Sequence, residues 1–426
     1  MTRRSFQLIV ASVLARAPNF LLPILAIRIL DFPSYSIFAA GFAAAGSMSA
    51  FIGEAIAATI SRESFRANQG RAGSLSLSKF FCASVVCAYI FIVALVGLYF
   101  LLSIGEISNN ERAWLTAAAT ILLVPAYLIP IAVTALANAH DRGNVSTLAT
   151  LIGVPLSIAS SLLIGVNFGV AYFLLTYFLF VVLTNSVVWI KAAPTPWSKY
   201  APSLIEIYRN YGPSLLAILL PFLLGGPVHG LCLFVLARAA DGPIELAKFV
   251  AYYPWSISVS VPAAMLANYV IQTLVELKRT DDYQALRRFI VKLLIFAHVI
   301  AISISALLWI NIDLVFVLYG PHFEHDPALF GWILVCGIGL SIISTTGPIL
   351  IGIGSKRGLT FCAMLNALIY VGLCTLLVAN LNLGATGLAR SLSYSLLVFA
   401  LAHSLLIFRH LYFSPRLCAA SRKTPY

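Results

Sequence analysis

Long apolar stretches separated by short polar ones set the rhythm of this chain. Twelve of them, at about residues 6–30, 35–60, 80–103, 113–137, 147–166, 169–190, 210–236, 249–275, 289–312, 328–354, 359–380 and 384–408, are predominantly apolar. Each is long enough for an α-helix to cross about 30 Å of hydrocarbon, which takes about 20 residues. None alternates polar and apolar positions with a period of two, as the strands of a barrel would. In lipid only helices and closed barrels satisfy every backbone polar group. The pattern therefore predicts an all-α integral membrane protein with twelve transmembrane helices.

The polar segments carry a directional signal. Placing the N-terminus in the cytoplasm puts Arg62, Arg66, Arg71, Lys79, Arg142, Lys191, Arg209, Lys278, Arg279, Arg287, Arg288, Arg357 and Arg409 on the cytoplasmic side. The short outer loops keep few such residues, and this asymmetry predicts that both termini are cytoplasmic. An even number of spans requires the same. The composition agrees: 61% of residues are hydrophobic and 10% charged, against about 25% charged in an average soluble domain. A formal charge of +12 would suit nucleic acid, but its distribution reads as topology, with membrane phospholipids as the contact it favours. No nucleic-acid partner is expected. The opening TRRSFQL and the ARA at residues 15–17 imitate an export signal and its cleavage site. Cleavage there would destroy the first span and the parity of the rest, so the segment is read as a helix.

Landmarks recur in order along the two halves. RILDFP at residues 28–33 returns as RAADGP at 238–243, Arg142-Gly143 as Arg357-Gly358, and Asn167 and Gly169 of NFGVA as Asn382 and Gly384 of NLGAT. The offset grows between the first and second landmark, and the outer segment DLVFVLYGPHFEHDP is longer than its counterpart GEISNNER. Colinear landmarks of this kind predict an internal duplication, with six-helix bundles over residues 1–208 and 209–426. Because six is even, the copies run parallel, an arrangement common in transporters. A duplicated scaffold serving an intramembrane enzyme is the rival. Twelve spans joined by short loops leave no soluble catalytic domain, so transport is expected and enzymatic activity is not.

Ionisable residues inside spans point to function, because a central Arg costs about 2.5–3.5 kcal/mol to insert and usually faces a cavity. Arg16 lies midway along the first span, with Asn19 on its face and Pro18 and Pro23 interrupting the helix. A cavity-lining cation and a buried partner of Glu54, in the second span, are both open for it. In the second copy Asn268 and Gln272 share a face one turn apart, as do Arg390 and Tyr394 near the outer end of the last span. These residues, Arg16, Asn19, Glu54, Asn268, Gln272 and Arg390, are the candidate cavity lining. His229 follows a GGP break and reads as a core histidine.

The repeated pairs Arg28/Asp31 and Arg238/Asp241 fall at the outer ends of spans one and seven. Asp is expected to cap the turn and Pro to begin the next helix; an outer gate, assisted by Lys248, is the sharper alternative. Seven cysteines are present; six, Cys82, Cys87, Cys232, Cys336, Cys362 and Cys374, lie in apolar spans and none forms a C-x-x-C, so they read as packing residues. HFEHDP at residues 322–327 gathers two His with Glu324 and Asp326, and reads as a solvated loop rather than a metal site.

Over its length the chain resembles the multidrug, oligosaccharidyl-lipid and polysaccharide exporter superfamily, and within it the Wzx-like polysaccharide repeat-unit (O-antigen) flippases. The residues that carry the resemblance are VLARAPNFLLPILAIRILDFPSY with Arg28 and Tyr35, the Arg142-Gly143 loop, NFGVA and NLGAT, and LVFVLYGPHF at 314–323. Asp31 departs from the Gly often found there. The resemblance implies the fold of MATE transporters and lipid flippases, a V-shaped pair of bundles alternating between inward-open and outward-open states. It implies a bacterial cytoplasmic membrane protein, expected as a monomer, that flips undecaprenyl-diphosphate-linked oligosaccharide from the inner to the outer leaflet. A polysaccharide polymerase is the implied partner in the same pathway. Leu14-Ala15-Arg16 matches an L-x-R setting of the lipid II flippases, which usually carry two further spans. No cofactor is expected, and the coupling ion, H+ or Na+, stays open. A multidrug exporter of the same fold is the first alternative, and a membrane-embedded oligosaccharide polymerase or ligase the second.

Overall fold

A computed structural model describes residues 143–168, 170–192, 203–280, 282–320 and 323–413 continuously, with residues 20–28 and 30 and scattered positions between 35 and 137. Side chains at some helical positions, Asn268 and Gln272 among them, lie outside the described set. The continuous helices are α1 (Gly143–Phe168), α2 (Val170–Ala192), α3 (Leu204–Ala237), α4 (Gly242–Arg279), α5 (Tyr283–Ile310), α6 (Ile312–Tyr319), α7 (Pro327–Ile353), α8 (Lys356–Cys374) and α9 (Gly384–Phe413). Among the described residues there is no strand. Each of the last eight apolar stretches of the sequence corresponds to a helix. Six helices among the described residues are long and apolar enough to cross a membrane.

Local chemistry sets the ends. Ser203 accepts from Glu206 N at 3.2 Å, Asp282 from Ala285 N at 3.0 Å and Asp326 from Leu329 N at 2.9 Å, so α3, α5 and α7 each begin on a side-chain cap. Gly354, at φ 86°, closes α7 in the left-handed conformation. α4 contains Pro254 and Pro262, each of which removes a backbone donor. Between and beside them Ser256, Ser258 and Ser260 donate to the carbonyls of Tyr253, Trp255 and Ile257, so polar side chains remain satisfied where the helix is interrupted. α8 continues as a π-helix over Thr375–Asn380, where Leu381 N reaches back five residues to Leu376 O at 3.0 Å.

Small residues bring the helices together. A Cβ on Gly337 of α7 would stand 2.8 Å from Val259 Cβ of α4, and one on Gly352 2.8 Å from Leu274 Cβ. Gly339, two residues along α7, faces α9, where the gap to Leu396 Cβ would be 2.9 Å. Without a hydrophobic drive between helices in lipid, such close approach supplies the dispersion contact that holds them. Large apolar side chains point outward, Leu183, Ile190, Ile295, Leu307, Ile310 and Leu368 among them, as a hydrocarbon surround requires.

Two buried clusters join the halves of the chain. One unites Leu22, Ile24, Tyr35 and Phe38 with Leu236, Tyr252, Trp255, Val315 and Tyr319. The other unites Ala55 and Ala58 with Val270, Ile271, Leu274, Ile349 and Leu350. Along α4 they are anchored at Tyr252 and Leu274, about 33 Å apart at 1.5 Å per residue, roughly the thickness of the hydrocarbon layer.

Candidate outer gate and span interior

The recurring R-x-x-D-x-P frame builds the α3–α4 turn. Arg238 ends α3 with its guanidinium 4.7 Å above the Phe234 ring. Asp241 has φ 56°, in the left-handed region, and its side chain makes no cap bond. This corrects the expectation that its carboxylate caps α4. The backbone carbonyl of Asp241 accepts from Ile244 N and Glu245 N instead, and Pro243 occupies the first turn as expected.

Glu245, one turn into α4, ties three elements together. Its Oε2 accepts from Ala385 N at 2.7 Å, so it caps the start of α9 from another helix. Gly384 has φ 53°, and a Cβ there would lie 2.2 Å from Glu245 Oε2. The repeated Asn-x-Gly of the sequence thus has, in the second copy, a physical reason: the glycine opens room for the carboxylate. Lys248 stands 3.4 Å from Glu245 and 2.6 Å from Glu324. Its ammonium, bonded to Glu324, holds that exposed carboxyl below the usual range.

Between α5 and α7 the sequence suggests an outer loop; the structure puts the two-turn helix α6 there. The guanidinium of Arg28 donates from Nε to Leu318 O and from Nη2 to Val317 O. These carbonyls belong to the last turn of α6, where the dipole is negative; Val317 O also accepts from Gly320 N, while no backbone donor reaches Leu318 O among the described residues. Beside this contact Trp255 Nε1 donates to Tyr319 Oη at 2.6 Å, and Tyr319 Oη donates to Ala251 O at 2.7 Å. Phe20 meets Trp255 edge-on at 4.7 Å. Tyr252 sits among Phe316, Tyr319, Phe323 and Phe330. Aromatic rings and the Arg28 guanidinium therefore join the two halves of the chain at this end.

The HFEHDP residues are individually engaged. Glu324 binds Lys248, His325 stacks on Phe316 at 4.6 Å, and Asp326 caps α7; His322 lies outside the described residues. Among the described residues no three metal-ligating side chains stand close enough to share an ion.

Arg16, Asn19, Asp31 and Glu54 lie outside the described residues. Asn268 and Gln272 fall one turn apart on α4, beyond Pro262 and alongside Val270, Ile271 and Leu274 of the second cluster in sequence. Arg390 is half-buried, its guanidinium 5.5 Å from the Trp332 ring centroid, and its Nε has no hydrogen-bond partner among the described residues. His229 Nδ1 pairs with Tyr370 Oη at 2.8 Å, and His403 Nδ1 with Thr346 Oγ1 at 2.9 Å. Cys232, Cys336, Cys362 and Cys374 are free and buried. Among the described residues no carboxylate lies in the middle of a span; all stand at helix ends or in turns.

Helices of this order, with these joins, can be set beside solved structures. No family model matches the chain and no curated protein matches it in sequence. Its shape does match. An outward-facing multidrug resistance MATE family transporter of the MOP superfamily superposes with a TM-score of 0.69 at 15% identity, over 99% of this chain and 96% of that one. The chain has the MATE transporter fold. A eukaryotic MATE transporter gives a TM-score of 0.74 at 13% identity, over 98% of this chain and 96% of that one. A MOP superfamily transporter from Pyrococcus furiosus, described as having a binding pocket of reversed polarity that suggests a different function, gives 0.70 at 16% identity, over 99% and 95%. The all-helical expectation holds among the described residues, and the MATE-like fold is matched over 98–99% of the chain.

Of the gate residues suggested by sequence, Arg28, Arg238 and Lys248 take the positions described above. Glu245, Trp255 and Tyr319 were not legible as site residues. Glu245 reads as an ordinary first-turn acid, and nothing in the sequence signals its bond to an amide 140 residues away.

Proposed function

We propose that this chain is an alternating-access transporter that carries an anionic amphiphile, oligosaccharide on undecaprenyl diphosphate, from the inner to the outer leaflet of the bacterial cytoplasmic membrane. The MATE fold supports transport. The observation that carries the substrate class is the polarity of the spans: among the described residues no carboxylate lies in the middle of a span, while Arg390 stands half-buried about two turns into α9 and His229 and His403 are buried. A cation exporter needs buried acids; a diphosphate needs guanidinium groups. Its oxygens match an Arg fork, and charge-assisted bonds of this kind are worth about 1.5–3 kcal/mol each. Arg16 is the group proposed to hold it, with Asn19, Glu54, Asn268, Gln272 and Arg390 along the path, and an H+ or Na+ gradient as a source of energy. The flipped unit would pass to a polysaccharide polymerase.

A multidrug exporter is the second reading, favoured by the multidrug resistance transporters that share the fold. Polymerase or ligase chemistry is disfavoured, because Glu324 and Asp326, the described acids of the outer segment, are held by Lys248 and by the start of α7. Proteoliposomes separate these. Flipping is followed with a fluorescent polyprenyl-diphosphate oligosaccharide and export with a cationic dye. The expected result is flipping without dye export, and its loss in Arg16→Ala although that variant still inserts. Dye export without flipping would establish the multidrug reading in its place.

A further inference from the structure

The ends of five helices, α4, α5, α7, α8 and α9, converge opposite the candidate gate, on the side that the charge asymmetry places in the cytoplasm. Arg287 of α5 stacks 4.1 Å from the Tyr412 ring centroid and donates to its hydroxyl, which sets the start of α5 against the end of α9. His410 Nε2 lies 2.9 Å from Ser355 Oγ, bringing in the α7–α8 turn. Lys278 Nζ donates to Ile353 O at 2.8 Å, bringing in the end of α4. Arg279, Arg287, Arg288, Lys292, Arg357 and Arg409 are all exposed on this face. The described acids beside them are Glu276 and Asp282, and Asp282 is occupied in capping α5.

Arg288 and Lys292 make no ion pair among the described residues and lie one turn apart. Directly along the same face of α5 follow Ile295, Val299 and Ile302, exposed to 60%, 58% and 55%. A free anion would use only the cations. A lipid would use both, its phosphate on Arg288 and Lys292 and its acyl chains along the aliphatic stripe.

We propose that this face is a docking surface for anionic phospholipid headgroups, with Arg288 and Lys292 as the phosphate-holding pair. Charge complementarity selects an anionic lipid over a zwitterionic one. The pairing of cations with an aliphatic stripe selects a lipid over a soluble phosphate. The proposal is independent of what the protein carries.

The test uses the full chain, purified in detergent and supplied with phosphatidylglycerol, phosphatidylcholine or inorganic phosphate. Retained lipid is counted by native mass spectrometry. Phosphatidylglycerol should be retained over phosphatidylcholine, and R288Q/K292Q should lower its retention by on the order of tenfold or more while leaving phosphatidylcholine unchanged. The charge-conserving R288K/K292R should retain it, and Arg238→Gln, at the opposite face, should be without effect. Should R288Q/K292Q not insert, R288K/K292R and single substitutions at the same positions are scored by the same criterion. Equal retention of phosphatidylglycerol in neutralised and unaltered proteins would overturn the proposal. So would a thermal stabilisation by inorganic phosphate equal to that by phosphatidylglycerol, which would mean anion binding only.

Discussion

Arg28 donates to the carbonyl oxygen of Leu318, a residue 290 positions further along the chain. The bond joins the end of the first described helix to the last turn of α6, and its neighbour on Val317 O comes from the same guanidinium. Two groups far apart in sequence and on opposite halves can stay bonded only while the halves are together at this end. The two bonds therefore break whenever the halves part at this end.

Arg28→Gln should therefore loosen closure. The guanidinium is exposed, so its net contribution is about 1 kcal/mol, roughly a fivefold shift toward the outer-open arrangement. Spin labels placed across the gate, read by pulsed electron resonance distances, should show the longer-distance population growing. An unchanged distribution would show that these bonds do not hold the halves together.

Lys248 and Glu324 give a pH dependence whose sign is fixed. The bond from Lys248 lowers the Glu324 carboxyl below its usual range, so the pair contributes above the ordinary glutamate range and is lost as pH falls through the lowered value. Outer-face acidification should increase hydrogen exchange at residues 323–326. In Lys248→Gln the exchange should already be raised at neutral pH and its acid-induced increase should shrink; the same pH profile in both proteins would count against the pair.

Gly337 is one of two glycines at which α7 approaches α4 most closely. Gly337→Val should cost about 1–3 kcal/mol by overpacking, seen as a lower melting temperature in detergent. Gly347, in the same helix with nothing within 4 Å of its Cβ position, should accept Ala with little change.

The proposed cargo predicts a voltage effect. About 2.3 kcal/mol acts on each charge per 100 mV, so an inside-negative potential should speed outward movement of a diphosphate and slow it when reversed. Initial rates in potassium-loaded proteoliposomes with valinomycin measure this. Rates indifferent to the sign would argue that the moving complex is neutral.

Hydropathy made the spans legible because it reports the solvent around a segment. It reports hydrogen bonding less well, which is why α3 and α4 run several residues beyond their apolar cores, to Leu204 and to Gly242 and Arg279. α6 escaped for the same reason: eight residues are too few to span, so DLVFVLYG reads as a connection although its backbone bonds as a helix. The repeat pointed to the right turns, at Arg238 and at Gly384. Their chemistry, a left-handed Asp241 and a carboxylate brought from α4, depends on partners that only the fold assembles. The cavity proposal rests on Arg16, which lies outside the described residues.

The wide turn at Thr375–Asn380 sets the angular phase of everything after it. A π turn holds one more residue than an α turn, so deleting one residue here could restore a regular helix. Rewinding the segment as a regular helix with every residue kept would instead rotate the following backbone by about 100°, carrying Gly384 and Ala385 away from Glu245. The extra residue is thus a spacer, and the docking of α9 onto α4 is written in its length.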